Sequence, residues 1–266
     1  DCGWRVAVYP RRPWKRDRAF RAASLLPRID MASLAVTGLS VALGDPPREV
    51  LSNVDIAAAP GSLTLILGAN GSGKSVLLRT LIGIHKQNAG QICIDGRELR
   101  RRRHREFQRR CGMTFQNTDV QIFGDTVQND LRIGKNADYP LDLSFLRAFG
   151  LEGLQNAIPH ELSGGQRRRL ALAGAFLGSP EFLFLDEPFL ELDYPHIVRV
   201  IDRIEAITAA GTVVIVASHE TRDIWDIADT VVLLDAGQVV KSGTPDEVAA
   251  SVGPEVGLRP HRKAVT

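Results

Sequence analysis

The stretch Leu63 to Ile82, LTLILGANGSGKSVLLRTLI, constrains this chain more than any other. Five apolar or β-prone residues (Leu63, Thr64, Leu65, Ile66, Leu67) run into Gly68. Gly68 to Ser75, GANGSGKS, then fits G-x-x-x-x-G-K-[ST] without a mismatch. Apolar residues at helical spacing follow: Val76, Leu77, Leu78, Leu81 and Ile82. The expected order is therefore buried strand, glycine loop, helix. Successive backbone N–H groups in such a loop form an anion-binding concavity, and the helix start adds roughly half a positive charge. Glycines 68, 71 and 73 permit positive φ and close backbone approach. The candidate phosphate-binding set is Gly68, Ala69, Asn70, Gly71, Ser72, Gly73, Lys74, Ser75 and Val76. Within it, Lys74 is placed to reach the outer phosphates of a nucleotide, and the Ser75 hydroxyl to bind Mg²⁺.

Charge is nearly balanced over the whole chain, at +2, so it implies no polyanion partner. Its distribution is uneven. Residues 1–30 hold Lys15 and seven Arg against Asp1, Asp17 and Asp30, so 8 − 3 = +5, and the remainder carries +2 − 5 = −3. Residues 1–30 are expected to be a disordered basic leader or to lie upstream of the true start, since the first Met is Met31. With 44% hydrophobic residues a packed core is expected, yet no run of 18 apolar residues exists to span a bilayer. Any membrane role must then come through a partner. The cysteines (2, 93, 111) make no C-x-x-C pair.

Leu34–Leu43 and Val54–Ala58 read as strands joined by the turn GDPPRE, an antiparallel element ahead of the glycine loop. Gln91–Ile94 is a short strand closed by the turn signal Asp95-Gly96. Arg97 to Arg110 contains eight Arg and is helix-compatible; a solvated face, partly paired with acids elsewhere, is favoured over an anionic partner. Met113–Gln116 is strand-like, and several short helices follow over 126–161. Ser163 then caps a helix over Arg167–Leu177, with Gly164 and Gly165 exposing more backbone donors: a second anion-binding helix start in one chain.

Two further strands end in chemistry. Phe182–Leu185 (FLFL) runs into Asp186-Glu187-Pro188. A carboxylate at the end of a central strand beside a phosphate loop is where Mg²⁺ is expected, which makes Asp186 the metal-side acid and Glu187 the candidate base for water. Thr212–Ala217 (TVVIVA) stops at Ser218-His219-Glu220, placing His219 to contact a γ-phosphate or the attacking water. His196–Ala210 is helical, Val231–Leu234 and Gln238–Lys241 make a hairpin, and Thr244 and Pro245 start a last short helix. The tail from Gly253 (residues 251–266 in domain terms) is expected to be loose.

Together GANGSGKS, Gln116 after a strand, LSGGQ (162–166), and FLFLDEP (182–188) followed by His219 resemble an ATP-binding-cassette (ABC) ATPase over roughly residues 33–248. LSGGQ is the discriminating motif. The resemblance implies a nucleotide sandwiched between the phosphate loop of one subunit and the LSGGQ of another. Ser163, Gly164, Gly165 and Gln166 would then serve a partner's ATP, Gln116 would bind Mg²⁺ and couple to a membrane protein, Glu187 would polarise water, and His219 would hold the γ-phosphate. Asp193 would lie at the dimer seam. FQNTDVQIFGDTV, with its second glutamine Gln121, and LALAGAF are similar to segments of the energy-coupling-factor ATPases, which drive uptake of vitamins or of cobalt and nickel ions. Those work with an integral-membrane coupling protein and a substrate-binding membrane protein. Four positions depart from the pattern: the adenine-stacking aromatic is missing around Val41–Leu43, and Val76, Leu190 and Tyr194 replace Thr, Ser and Pro.

The expectation is an α/β P-loop NTPase fold over 31–250: a mainly parallel sheet, an antiparallel β flank and an inserted helical subdomain over about 117–172. Its function would be ATP hydrolysis, with ATP and Mg²⁺, coupled to import from the cytoplasmic face of the membrane, as a homodimer or a heterodimer with a second ABC ATPase. The rivals are a non-catalytic regulatory cassette, an importer ATPase for another solute, and a soluble ABC ATPase acting on nucleic acid or ribosomes. Only 45 residues separate Gln116 from Leu162, too few for the coiled-coil arm such proteins carry.

Overall fold

The computed structural model describes residues 32–134, 140–220 and 224–259; the basic leader and the end of the tail lie outside them. In chain order the strands are β1 (Leu34–Leu43), β2 (Arg48–Ala58), β3 (Leu63–Leu67), β4 (Ala89–Ile94), β5 (Arg97–Glu98), β6 (Cys111–Thr114), β7 (Phe182–Asp186), β8 (Val213–Ser218), β9 (Thr230–Asp235) and β10 (Gln238–Gly243). The α-helices are α1 (Lys74–Leu81), α2 (His104–Arg109), α3 (Val127–Arg132), α4 (Leu143–Ala148), α5 (Gly164–Phe176), α6 (Tyr194–Ala210) and α7 (Pro245–Val248).

Two sheets result. One is antiparallel, in the order β2-β1-β4-β5. The other runs β10-β9-β3-β8-β7-β6 and is parallel apart from the β9/β10 hairpin. Every residue of β3, β7 and β8 is buried, as expected of parallel strands covered on both faces. Alternation sorts their side chains into two cores. Leu63, Leu65, Leu67, Leu183, Leu185, Val214 and Val216 pack with α5 and α6. Ile66, Phe182, Phe184, Val213 and Ile215 pack with α1 and the antiparallel sheet. In the parallel register, Leu67 lies opposite Ser218 and Asp186 opposite Ala217. The carboxyl ends of three strands thereby meet at one sheet edge, where ligands of open α/β sheets bind.

The arginine-rich segment is not one helix. Asp95 and Gly96, both at positive φ (51° and 71°), turn β4 back into β5, so Arg97 starts as an edge strand. A 3₁₀ turn (Arg101–Arg103) and α2 follow, anchored by buried Phe107. Arg110 ion-pairs with Asp95 and Glu181 at 2.6 Å each, and Arg100 with Glu98 at 2.9 Å; Arg97, Arg101, Arg102, Arg103, Arg105 and Arg109 face solvent. The expected loose tail is packed as far as it is described. Val252 and Leu258 join the core, and a Cβ on Gly257 (φ 67°) would lie 3.0 Å from Ala69 in the glycine loop. Apolar side chains after Gly253 outweigh the flexibility that its glycines suggest.

Candidate functional site

The glycine loop links β3 to α1 as expected. Its apex, Asn70 and Gly71, is exposed, while Gly68, Ser72 and Lys74 are buried. Gly68 has no room for a side chain: a Cβ would meet the Leu234 carbonyl at 2.3 Å. Gly73, at φ 103°, forms the helix cap without any side-chain hydrogen bond, so the first amides of α1 are left to a ligand or solvent. The Lys74 ammonium donates to the carbonyls of Gly68 (2.8 Å) and Ala69 (3.0 Å), and lies 3.6 Å from Glu187 Oε1. Burial lowers its pKa, an effect that the nearby carboxylates of Glu187 and Asp186 oppose.

Glu187 is the hub of the cluster. Its Oε2 lies 2.9 Å from His219 Nδ1 and accepts the His219 amide at 3.4 Å. Its backbone has φ 49°, a left-handed conformation that a glutamate rarely adopts. The neighbouring Asp186 is fully buried, and neither carboxylate oxygen has a hydrogen-bond partner among the described residues. Burial pushes its pKa up, while the Ser75 hydroxyl pulls it down. An orphaned buried carboxylate beside a hydroxyl is a set of hard oxygen ligands, suited to Mg²⁺ completed by phosphates and water.

The second helix start is built differently. Ser163 and Gln166 cap α5 reciprocally: Gln166 N donates to Ser163 Oγ at 3.3 Å, and Ser163 N donates to Gln166 Oε1 at 2.8 Å. Gly164 and Gly165 lie against Glu191, whose carboxylate and carbonyl would be 2.8 Å and 2.9 Å from added Cβ atoms. No hydrogen bond or ion pair among the described residues joins 163–166 to 68–75.

The sequence model of the family described as ABC transporter matches residues 51–190. The chain belongs to the ABC transporter family. It is an ATPase of that family, and several archaeal relatives carry the name energy-coupling factor transporter ATP-binding protein. One, EcfA2 of Methanospirillum hungatei, is 34% identical over 74% of this chain but only 52% of its own length. Another, EcfA of Methanocaldococcus jannaschii, is 33% identical over 76% of each. Among solved structures, cbiO1 from Clostridium perfringens, described as part of the ABC transporter complex cbiONQ, aligns with a TM-score of 0.69 at 29% identity. That alignment covers 87% of this chain and 92% of that one.

In this ABC ATPase the fold gathers Lys74, Ser75, Asp186, Glu187 and His219 at the end of the parallel sheet. Gln116 is exposed just past β6, its side chain making no hydrogen bond among the described residues. Gln121 braces the loop that carries Gln116. It accepts from Phe115 N at 3.1 Å and donates to the carbonyls of Met113 and Ala171, also at 3.1 Å, tying that loop to α5. Asp193 caps α6 through the His196 amide at 3.1 Å. The sequence reading missed Arg168, buried behind the LSGGQ helix start, and Glu191, the residue under both glycines. Periodicity held a signal for the first. Arg168 precedes Leu172 and Ala175 by four and seven residues, which puts it on the buried stripe of α5.

Proposed function

We propose that this chain is the ATP-hydrolysing subunit of an energy-coupling-factor type importer, driving uptake of cobalt or nickel ions or of a vitamin such as biotin. The observation that carries the hydrolytic part is the Lys74–Glu187–His219 cluster beside the uncapped glycine loop. Backbone amides of residues 68–76 would cradle the phosphates, with Lys74 on the outer ones. When bound, Mg²⁺ would neutralise phosphate charge, held by Ser75, Asp186 and Gln116. Glu187, flanked by Lys74 and His219, takes the proton of the attacking water, and His219 holds the γ-phosphate end.

Ser163, Gly164, Gly165 and Gln166 would meet the ATP of a second cassette, a copy of this chain or a related ATPase. Import as the work done is supported by the archaeal relatives and by the cbiO1 likeness. It is also supported by apolar side chains left in solvent beyond Gln116: Val120 is 53% and Phe123 73% exposed. Such residues suit an integral-membrane coupling protein and, through it, a substrate-binding membrane protein. No helix among the described residues is long and apolar enough to cross a membrane. Attachment at the cytoplasmic face would run through those membrane partners.

The test is Glu187→Gln. Nucleotide affinity should stay within about threefold while turnover falls roughly 10²–10⁴-fold and a closed dimer accumulates with ATP. Turnover at the parent rate would remove Glu187 as the base. Importer function is read from vesicles containing this chain with its coupling and binding proteins. ATP-driven accumulation of labelled Co²⁺, Ni²⁺ or biotin supports it, and accumulation of none of them defeats it.

A further inference from the structure

Arg168 is 1% exposed, and among the described residues no acid makes a salt bridge to it. Its guanidinium is instead spent on five backbone carbonyls. One nitrogen, Nη1, donates to Phe115 O (2.8 Å) and Gln116 O (3.2 Å), where β6 ends. The other, Nη2, donates to Asp186 O (2.7 Å) and to Glu187 O, where β7 ends. Nε points at Pro188 O, 3.4 Å away. A planar fork with five donors is the one side chain able to serve two strand ends at once.

Stability alone accounts poorly for this arrangement. Burying a cation without a paired anion is costly, and apolar groups of similar volume often replace buried ions without loss. What the fork does hold is the peptide of Glu187, whose φ of 49° needs support from its surroundings. It holds that peptide from α5, the helix whose first turn is LSGGQ, and from the same point it fixes the main chain of Gln116.

We propose that Arg168 is a positioning residue that sets the Glu187 carboxylate for water activation and ties its placement to the LSGGQ helix. The inference rests on Glu187 being the base. Arg168 touches no reacting atom in this scheme; it acts through Glu187. A shift of α5 when a second cassette docks would pull on the Glu187 and Gln116 peptides together. Hydrolysis would thereby be linked to pairing.

The experiment is a double-mutant cycle on ATP hydrolysis with Arg168→Met, Arg168→Lys and Glu187→Gln, read by single-turnover rates and by nucleotide affinity. Arg168→Met should lower the rate roughly a hundredfold, the scale of a 1 Å misplacement, with affinity within about threefold. Arg168→Lys should recover only part, because an ammonium cannot span both strand ends. The double variant should be no slower than Glu187→Gln alone, since the two act as one unit. A role confined to folding would lower binding and rate together and would multiply with Glu187→Gln. The proposal is overturned by parent rates in both Arg168 variants, or by a full multiplicative loss in the double variant. If Arg168→Met does not fold, Arg168→Lys carries the same cycle. Failure of the base reading is seen separately, as parent-rate hydrolysis by Glu187→Gln alone.

Discussion

The two helix starts of this chain, Lys74 on α1 and Gly164 on α5, solve the problem of free amides in opposite ways. The first is preceded by Gly73 in the left-handed region and has no side-chain cap. It lies beside the buried Asp186, whose carboxylate oxygens have no hydrogen-bond partner among the described residues. The second is closed by its own Ser163 and Gln166 and stands at the surface, propped from below by Glu191 and from behind by Arg168. An uncapped, desolvated start is prepared for an anion at once. A self-capped start has two of its amides occupied, those of Ser163 and Gln166, so an anion that takes them has to displace a cap worth about 1 kcal/mol. On the proposed reading, one chain would hold a site that binds by itself and a site that responds to a second molecule.

Three substitutions test that contrast. The largest effect is expected from Lys74→Ala. It removes charge-assisted contacts worth about 2–3 kcal/mol, so the Kd for a nucleotide measured by titration should rise roughly 30- to 150-fold. Unchanged affinity would mean that α1 is not the primary binding start. Gly165→Ala comes next. Its Cβ would press on the Glu191 carbonyl at 2.9 Å, backbone that cannot swing aside. Turnover should drop roughly ten- to a hundredfold while nucleotide binding to the unpaired chain stays within about twofold. A matching loss of binding would erase the distinction between the two starts. The smallest is Ser163→Ala, which deletes half of the reciprocal cap. About 1 kcal/mol of stability should go, seen as a fall of roughly 2–4 °C in thermal midpoint. No shift would show that the cap contributes nothing.

What was legible in the sequence follows the range of the interactions. Gly68–Ser75, the Ser163 cap and the Thr244/Pro245 start of α7 are local chemistry, and each falls where the spacing predicts. Strand-end residues were readable because apolar runs stop at them: Asp186 after FLFL, His219 after TVVIVA and the following serine. Their meeting at Glu187 needed only the parallel order of the sheet. The arginine segment misled, because composition says helix while Asp95-Gly96 forces a hairpin first. Within Arg167-Arg168-Arg169 the three side chains point about 100° apart. The first reaches Leu162 O and Asp119, the last Gly150 O, and only the middle one turns inward. Nothing local states that five carbonyls from distant strands wait there. Glu191 under the glycines is hidden for the same reason, being set by how two loops stack.

The strand that delivers the glycine loop is bound along both of its edges, to β8 on one side and β9 on the other, over its whole short length. Its amides should therefore be among the slowest in the protein to exchange with deuterium, opening only when the entire molecule does. A platform fixed in that way cannot yield when nucleotide arrives or leaves. Travel in the proposed hydrolytic cycle would then fall to segments other than this strand, leaving the phosphate end as the stationary frame.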